Sequence, residues 1–430
     1  MVDASSPTTI SQPLSALELE VDMSARQATS ILAALLASSC ALAQTTWIVD
    51  ATNGPGTSFT DVPAAVAAAS SGDLLIVRPG NYTSFETNKG LTMLGGLGVR
   101  IARPQPLHAS AVVVSGLPAN ETFTMLGFET VPATFLLPRI EVLSCAGKVH
   151  LEDIRIDGIA RSLFQNGSPA LRIENAASVV LARSRFRGQP GVLARGSTLI
   201  ATDTECSGTD GLNSIYEFPA GHGIHAESSQ ITLSRCRAQG GTFFTYGPSS
   251  SAGLGLGLSS QLSTWTILGD ATTQIVAGSA PGYVASAMTG SGSVRTNPAV
   301  AFVPSGVAPS ISPAISVANL EIPSLRATGA PLGGSVSIDL FGLAGDAFGL
   351  FVGLPGDPIP LGALGELWID LGIGPLFVAG GSIGAGRHFA MNVAVPNDPL
   401  VIGARFTWQG AGGSVANGIF LSNPATYVHP

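Results

Sequence analysis

The sequence predicts an all-β chain in which a solenoid of stacked coils precedes a β-sandwich. Three observations carry that reading. The first is a repeat: residues 139–270 hold one pattern five times, as RIEVLSCAGKVHLEDIRIDG (139–158), ALRIENAASVVLARSRFRG (170–188), PGVLARGSTLIATDTECSG (190–208), HGIHAESSQITLSRCRAQG (222–240) and SAGLGLGLSSQLSTWTILGD (251–270). Each copy alternates apolar and polar residues and closes near a glycine: Gly158, Gly188, Gly208, Gly240 and Gly269. Recurrence at about twenty residues, with period-2 alternation inside each unit, is the mark of a β-solenoid. The second is composition: 53 Gly and 29 Pro with only 11% charged residues point to many turns and much strand. The third is a change after residue 316, where six short runs recur between turns: SVSIDLFG (335–342), FGLFVGL (348–354), ELWIDL (366–371), HFAMNVAVP (388–396), LVIGARFTWQ (400–409) and IFLSN (419–423). That many short strands in so short a span suggest an antiparallel sandwich.

In chain order, the first readable element is an export signal that begins at Met23. The run MSARQATSILAALLASSCALAQ supplies a basic start at Arg26, an apolar core over 31–37 and a small-x-small cleavage site at Ala41-Leu42-Ala43. It is too short to span a bilayer. The expected signal is therefore 23–43, cleaved after Ala43, and the mature chain is expected to be secreted or at the cell surface with no transmembrane segment. Residues 1–22 fit no export element and read as an extension ahead of the true start. Cys40 would allow a lipid anchor, but Ala37 stands where a lipoprotein signal usually has leucine. The net charge of −8 argues against nucleic acid as a partner, since phosphate binding needs a basic surface.

Residues 46–96 give a strand at 47–49, a Gly/Pro loop and a short helix. Thr60-Asp61 can cap that helix and Pro63 suits its first turn. Gly72-Asp73 turns into an apolar strand at 74–77, then come Pro79-Gly80-Asn81-Tyr82 and Gly90-Leu91-Thr92 with Gly95. This opening resembles right-handed parallel β-helix proteins of the pectin-lyase-like superfamily, which implies a right-handed parallel β-helix over 46–306 with a short capping helix at its start. A solenoid end exposes strand edges and core that must be covered. VAPSISPAIS (307–316) reads as the linker and 317–430 as the sandwich, whose VPNDPLVIGARFTWQ run resembles C-terminal modules of secreted planctomycete-type bacterial proteins.

Stacking the copies compares columns. One reads Asp153, Arg183, Asp203, Arg235; the next reads Arg155, Arg185, Glu205, Arg237. Two readings stand: a solvated face of alternating charge, or an arginine strip that docks an acidic polysaccharide, with Arg155 above Arg185 as the place for an anion. Cys206 shares an inward column with Ile156, Phe186 and Ala238, and Cys236 one with Ile154, Ser184 and Thr204. Both thiols are expected as packing residues, too far apart diagonally for a disulfide.

Three insertions, 159–168, 209–221 and 241–250, each follow a closing glycine and should emerge along one edge. They carry Phe164, Tyr216, Phe218, Phe243, Phe244 and Tyr246, which suit stacking on sugar rings or covering core beneath long loops. The resemblance also implies tests for lyase and polygalacturonase chemistry. Thr209-Asp210-Gly211 and Gly221-His222-Gly223 match two polygalacturonase segments, but the intervening paired aspartates are missing and the two lie too close together. The catalytic candidates are thus Asp210, Glu217 and His222, with two carboxylates needed for hydrolysis. No metal ligands or cofactor are expected; calcium is not indicated, because Arg183 interrupts the Asp153–Asp203 column. The reading is an exported, non-catalytic protein that binds polysaccharide or cell-surface glycan through the aromatic edge and Arg155 and Arg185. The alternative is a polysaccharide lyase or glycoside hydrolase on an acidic polysaccharide. A self-assembling surface protein is a third reading.

Overall fold

The computed structural model describes residues 44–101, 110–130, 139–156, 168–212, 220–244, 255–279, 284–372 and 374–430. Short strands coil into three parallel stacks. In each rung a first strand is followed by a second and a third, and each pairs with its equivalent in the next rung. The first stack runs from Phe85–Thr87 through Ile140–Leu143, Leu171–Glu174, Val192–Arg195 and Ile224–Glu227. The second runs through Lys148–Glu152, Ser178–Ala182, Thr198–Thr202 and Gln230–Ser234. The third forms a nine-stranded sheet from Gly80–Tyr82 to Ala301–Val303. This is a parallel β-helix, and the five copies of the sequence repeat are five consecutive rungs of it.

Alternation puts one side of every strand into a single core, where Val149, Leu181, Ala201 and Leu233 are all fully buried. Ile156, Phe186, Cys206 and Ala238 stack in register, as the aligned copies require. Cys145, Cys206 and Cys236 are buried free thiols. Burial pushes the Cys236 thiol up to about 12, which keeps it inert.

Each rung bends at two corners, and each corner has a residue in the left-handed region. At the first these are Ser144, Asn175, Gly196, Ser228 and Leu262; at the second, Asp153, Arg183, Asp203 and Arg235. The residue after the turn points inward. At the first corner, Ser197, Ser229 and Ser263 each accept the backbone N–H of the rung before, at 3.0, 3.2 and 3.1 Å. The hydroxyls thereby satisfy amides that the bend removes from the sheet ladder. The column Asp153, Arg183, Asp203, Arg235 is therefore a corner, not a strand face.

The start of the coil is covered by the helix Val62–Ala68, whose Val62, Ala65 and Val66 are buried. The Asp61 carboxylate accepts from Val62 N, as a capping residue should. The Lys89 ammonium closes the other end, donating to the carbonyls of Val66, Ala67 and Ala69. Residues 307–316, expected as a linker, instead belong to the last rung. Ile311 bridges to Met288, and Ile315–Asn319 pairs in parallel with Met288–Thr296. The prolines that suggested a linker sit where no ladder donor is required.

Antiparallel strands begin at Ser324–Thr328. One sheet joins Ser324–Thr328, Ser335–Phe341 and His388–Ala394; a second centres on Ala347–Gly353 and Arg405–Ser414. Leu325, Ile338, Leu340, Leu350, Phe406 and Trp408 form their shared core. This module lies against the outer side of the second-strand stack. Leu74, Leu94 and Leu126 of the coil pack with Val428, Arg326 Nε meets Asp203 at 3.4 Å, and Arg235 lies over the Phe341 ring at 5.1 Å. Asp203 and Arg235 are thus docking residues rather than members of a solvated face. Among the described residues no helix is long and apolar enough to cross a membrane.

Candidate functional site

With the second face covered, the outer side of the first-strand stack is an open, chemically dense surface. Its residues come from strands that the sequence columns above did not compare. In register, one column reads Glu141, Arg172, Leu193, His225, Ser259 and its neighbour reads Glu174, Arg195, Glu227, Gln261. The signal was present in the copies: IEVL, LRIE, VLAR and IHAE align on the same period.

These side chains form one continuous chain of ion pairs. Arg172 lies 3.7 Å from Glu141 and donates to Glu174 at 2.7 Å. Arg195 reaches Glu174 at 3.3 Å and grips Glu227 with two bonds, at 2.9 and 3.1 Å. The Glu227 carboxylate also meets His225 Nε2 at 2.8 Å, and the other ring nitrogen meets Ser259 Oγ at 2.9 Å. Hydrogen bonding to Arg172 holds the Glu174 carboxyl below the usual range, and bonding to Arg195 does the same for Glu227. The partners move the opposite way: Arg172 and Arg195 are raised by Glu174 and Glu227 respectively. The carboxylates are thus fixed as anions and the guanidiniums as cations. Such groups bind by charge-assisted hydrogen bonds and are poorly suited to giving or taking protons near neutral pH.

The connections from third strand to first strand border this face. They include every insertion: 157–170 follows Arg155–Ile156, 209–223 follows Glu205–Gly208, and 240–257 follows Arg237–Gln239. Two of them stack on one another, with Gly211–Leu212 pairing in parallel with Phe243–Phe244. Phe164, Tyr216, Glu217, Phe218 and Tyr246 lie outside the described residues. Asp210 braces this edge: it accepts from Thr242 N at 2.9 Å and lies 3.7 Å from Arg187.

His222 stands where the edge meets the face. Its ring stacks on His225 at 5.8 Å, and its Nδ1 accepts from Leu256 N at 3.1 Å. Burial, helped by neighbouring His225, holds its pKa down at about 4. The unfolded chain takes up that proton near 6.5 while the folded chain does not. Stability should therefore fall as pH drops from about 6.5 to about 4. His429, held down by its own burial, adds to the same slope. Urea midpoints measured from pH 7 to 4.5 should show a shallower decline in His222→Asn than in the parent.

Arg155 and Arg185 are placed elsewhere, on the outer side of the third stack. They are in register, yet the column continues with Glu129 before Arg155 and Glu205 after Arg185. Arg185 approaches Glu205 at 3.8 Å. Arg155 has no ion-pair partner among the described residues and lines a groove of about 410 Å³ at the seam with the C-terminal module. Glu129, Asp153 and Arg183 line the same groove. Among the described residues, no three His, Cys, Asp or Glu side chains gather to hold a metal ion.

No family model matches this chain, and no curated protein matches it. Solved structures similar to it include the two that follow. One is full-length tailspike protein 2 of Escherichia coli O157:H7 bacteriophage CAB120, at 10% identity and a TM-score of 0.25, covering 90% of this chain. This chain spans 64% of that tailspike's length. The other is ORF18 of Geobacillus virus E2, at 9% identity and a TM-score of 0.22, covering 88% of this chain and 81% of that one. At such scores the likeness carries no argument beyond the strand pairing already described.

Proposed function

We propose that this is an exported protein of the pectin-lyase-like kind that binds a glycan on the first-strand face and the edge bordering it, without cleaving it. The carrying observation is the ladder Glu141–Arg172–Glu174–Arg195–Glu227–His225, which sets fixed donors and acceptors side by side across successive rungs. Sugar hydroxyls need such paired partners, and the aromatic residues that the sequence carries in the bordering connections suit stacking on sugar rings. Against hydrolysis, Glu174 and Glu227 are held as anions, whereas one protonated carboxyl is required. Against elimination, Arg172 and Arg195 are raised in pKa, away from the range of a base. The leader at 23–43 supports export.

The test is a glycan array with the purified chain, run beside assays for reducing sugar and unsaturated product. Saturable binding is expected with no product. Arg172→Ala and Arg195→Ala should each weaken binding by roughly tenfold, the loss of one charge-assisted hydrogen bond, with circular dichroism unchanged. Released product that vanishes in Asp210→Ala would establish the enzyme reading instead.

A further inference from the structure

The two ends of the coil differ. At the start, a helix covers the first rung and the core beneath it is closed, with Val49 and Leu75 fully buried. At the far end, Ala301–Val303 is the last strand of the third stack and Ile315–Asn319 the last of the second. Each pairs on one side only, with Gln274–Val276 and Met288–Thr296 respectively. Among the described residues no strand lies on their outer edges. The core column opens in step: Trp265 is 0% exposed, Val294 above it 1%, and Val317 above that 43%. Val303, on the outward side of the last third-stack strand, is 45% exposed, and Val307 is 94% exposed.

Exposed strand edges are normally blunted by charge, lysine above all. Here no residue between Arg295 and Glu321 is charged, in a chain of net charge −8. This end is where two copies of the same acidic chain can meet without like-charge repulsion. It offers the backbone donors and acceptors that another strand edge needs, and an apolar patch that an identical patch matches.

We propose that this end is a homodimer interface, with two copies stacked end to end through a two-fold axis. Ile315–Asn319 pairs antiparallel with its equivalent in the second copy, and Val317 of each closes the core of the other. The helix at the start blocks head-to-tail stacking, so among the described residues only the far end is open and the assembly stops at two rather than growing into fibres.

Sedimentation and small-angle scattering of the whole chain test this. The expected particle has twice the monomer mass and is lengthened along the coil axis. Val317→Lys should raise the dimer dissociation constant by about a hundredfold or more. Ser316→Lys, at an exposed position on the same strand, gives the same readout if Val317→Lys disturbs the fold. A wild-type monomer at tens of micromolar, a side-by-side dimer, or a dimer unchanged in a folded Ser316→Lys variant would each overturn the proposal.

Discussion

Gly208→Ala should abolish folding of the central coils rather than trim their stability. A Cβ at Gly208 would overlap the Gly221 carbonyl oxygen and stand 2.8 Å from Gly241 N. Neither neighbour can retreat. Gly221 N donates to Thr209 O, and Gly241 N donates to Gly221 O, both at 2.8 Å. The obstruction is backbone on every side, so relief means separating rungs. The expected result is insoluble or proteolysed protein, or a far-ultraviolet spectrum without the parent's strand signal. Gly96→Ala is the control: nothing lies within 4 Å of its Cβ, and its melting temperature should match the parent within a degree or so. A soluble Gly208→Ala protein melting with the parent would contradict the packing described at this edge.

Glu152→Ala should release the C-terminal module from the coil. Glu152 sits on the outer side of the second stack and is fully buried by that module. Its carboxylate accepts from His150 Nε2 at 2.7 Å, from Arg183 Nη2, and from Val428 N at 3.2 Å. The last donor arrives from the far end of the chain. Removing the carboxylate takes from Arg183 one of its two carboxylate partners, Asp153 remaining at 3.1 Å, and leaves the buried Val428 amide without its acceptor, a loss on the order of 1–3 kcal/mol. Hydrogen exchange should accelerate in Lys148–Glu152 and Ala425–Val428, with smaller changes in the first-strand stack. Glu152→Gln keeps an acceptor for Val428 and should fall between the two. Unchanged exchange at Ala425–Val428 in Glu152→Ala would show that the module is held by its other contacts, such as Lys148 to Asp357 at 3.2 Å.

The rungs were legible because a solenoid writes its period into the chain. Inward columns such as Ile156, Phe186, Cys206 and Ala238 follow from alternation alone. The corners were not. A single left-handed residue between two strands keeps the alternation going in the sequence, and Arg183, Arg235 and Leu262 lack the usual Gly, Asn or Asp signature of that conformation. The covered second face was hidden for a different reason. His150 and Glu152 look like ordinary outward polar residues until a domain nearly two hundred residues later is laid over them. The closing glycines were visible as punctuation, but their spacing does not say that Gly188, Gly208 and Gly240 serve backbone crowding rather than an unusual φ. The Arg172–Arg195 ladder lay within reach of the same column comparison, applied one strand earlier.

The corner geometry has a consequence for how such a chain can change over time. From second strand to third, the turn is two residues long in four successive rungs: 153–154, 183–184, 203–204 and 235–236. The return from third strand to first ranges from three residues at 189–191 to many more at 240–257. The turn from first strand to second shortens from four residues at 144–147 to two at 228–229, so length is constant at one corner, nearly so at the next and free on the third side. Insertions there leave every core column in register, so the bordering edge can be rewritten while the frame that presents it is inherited whole.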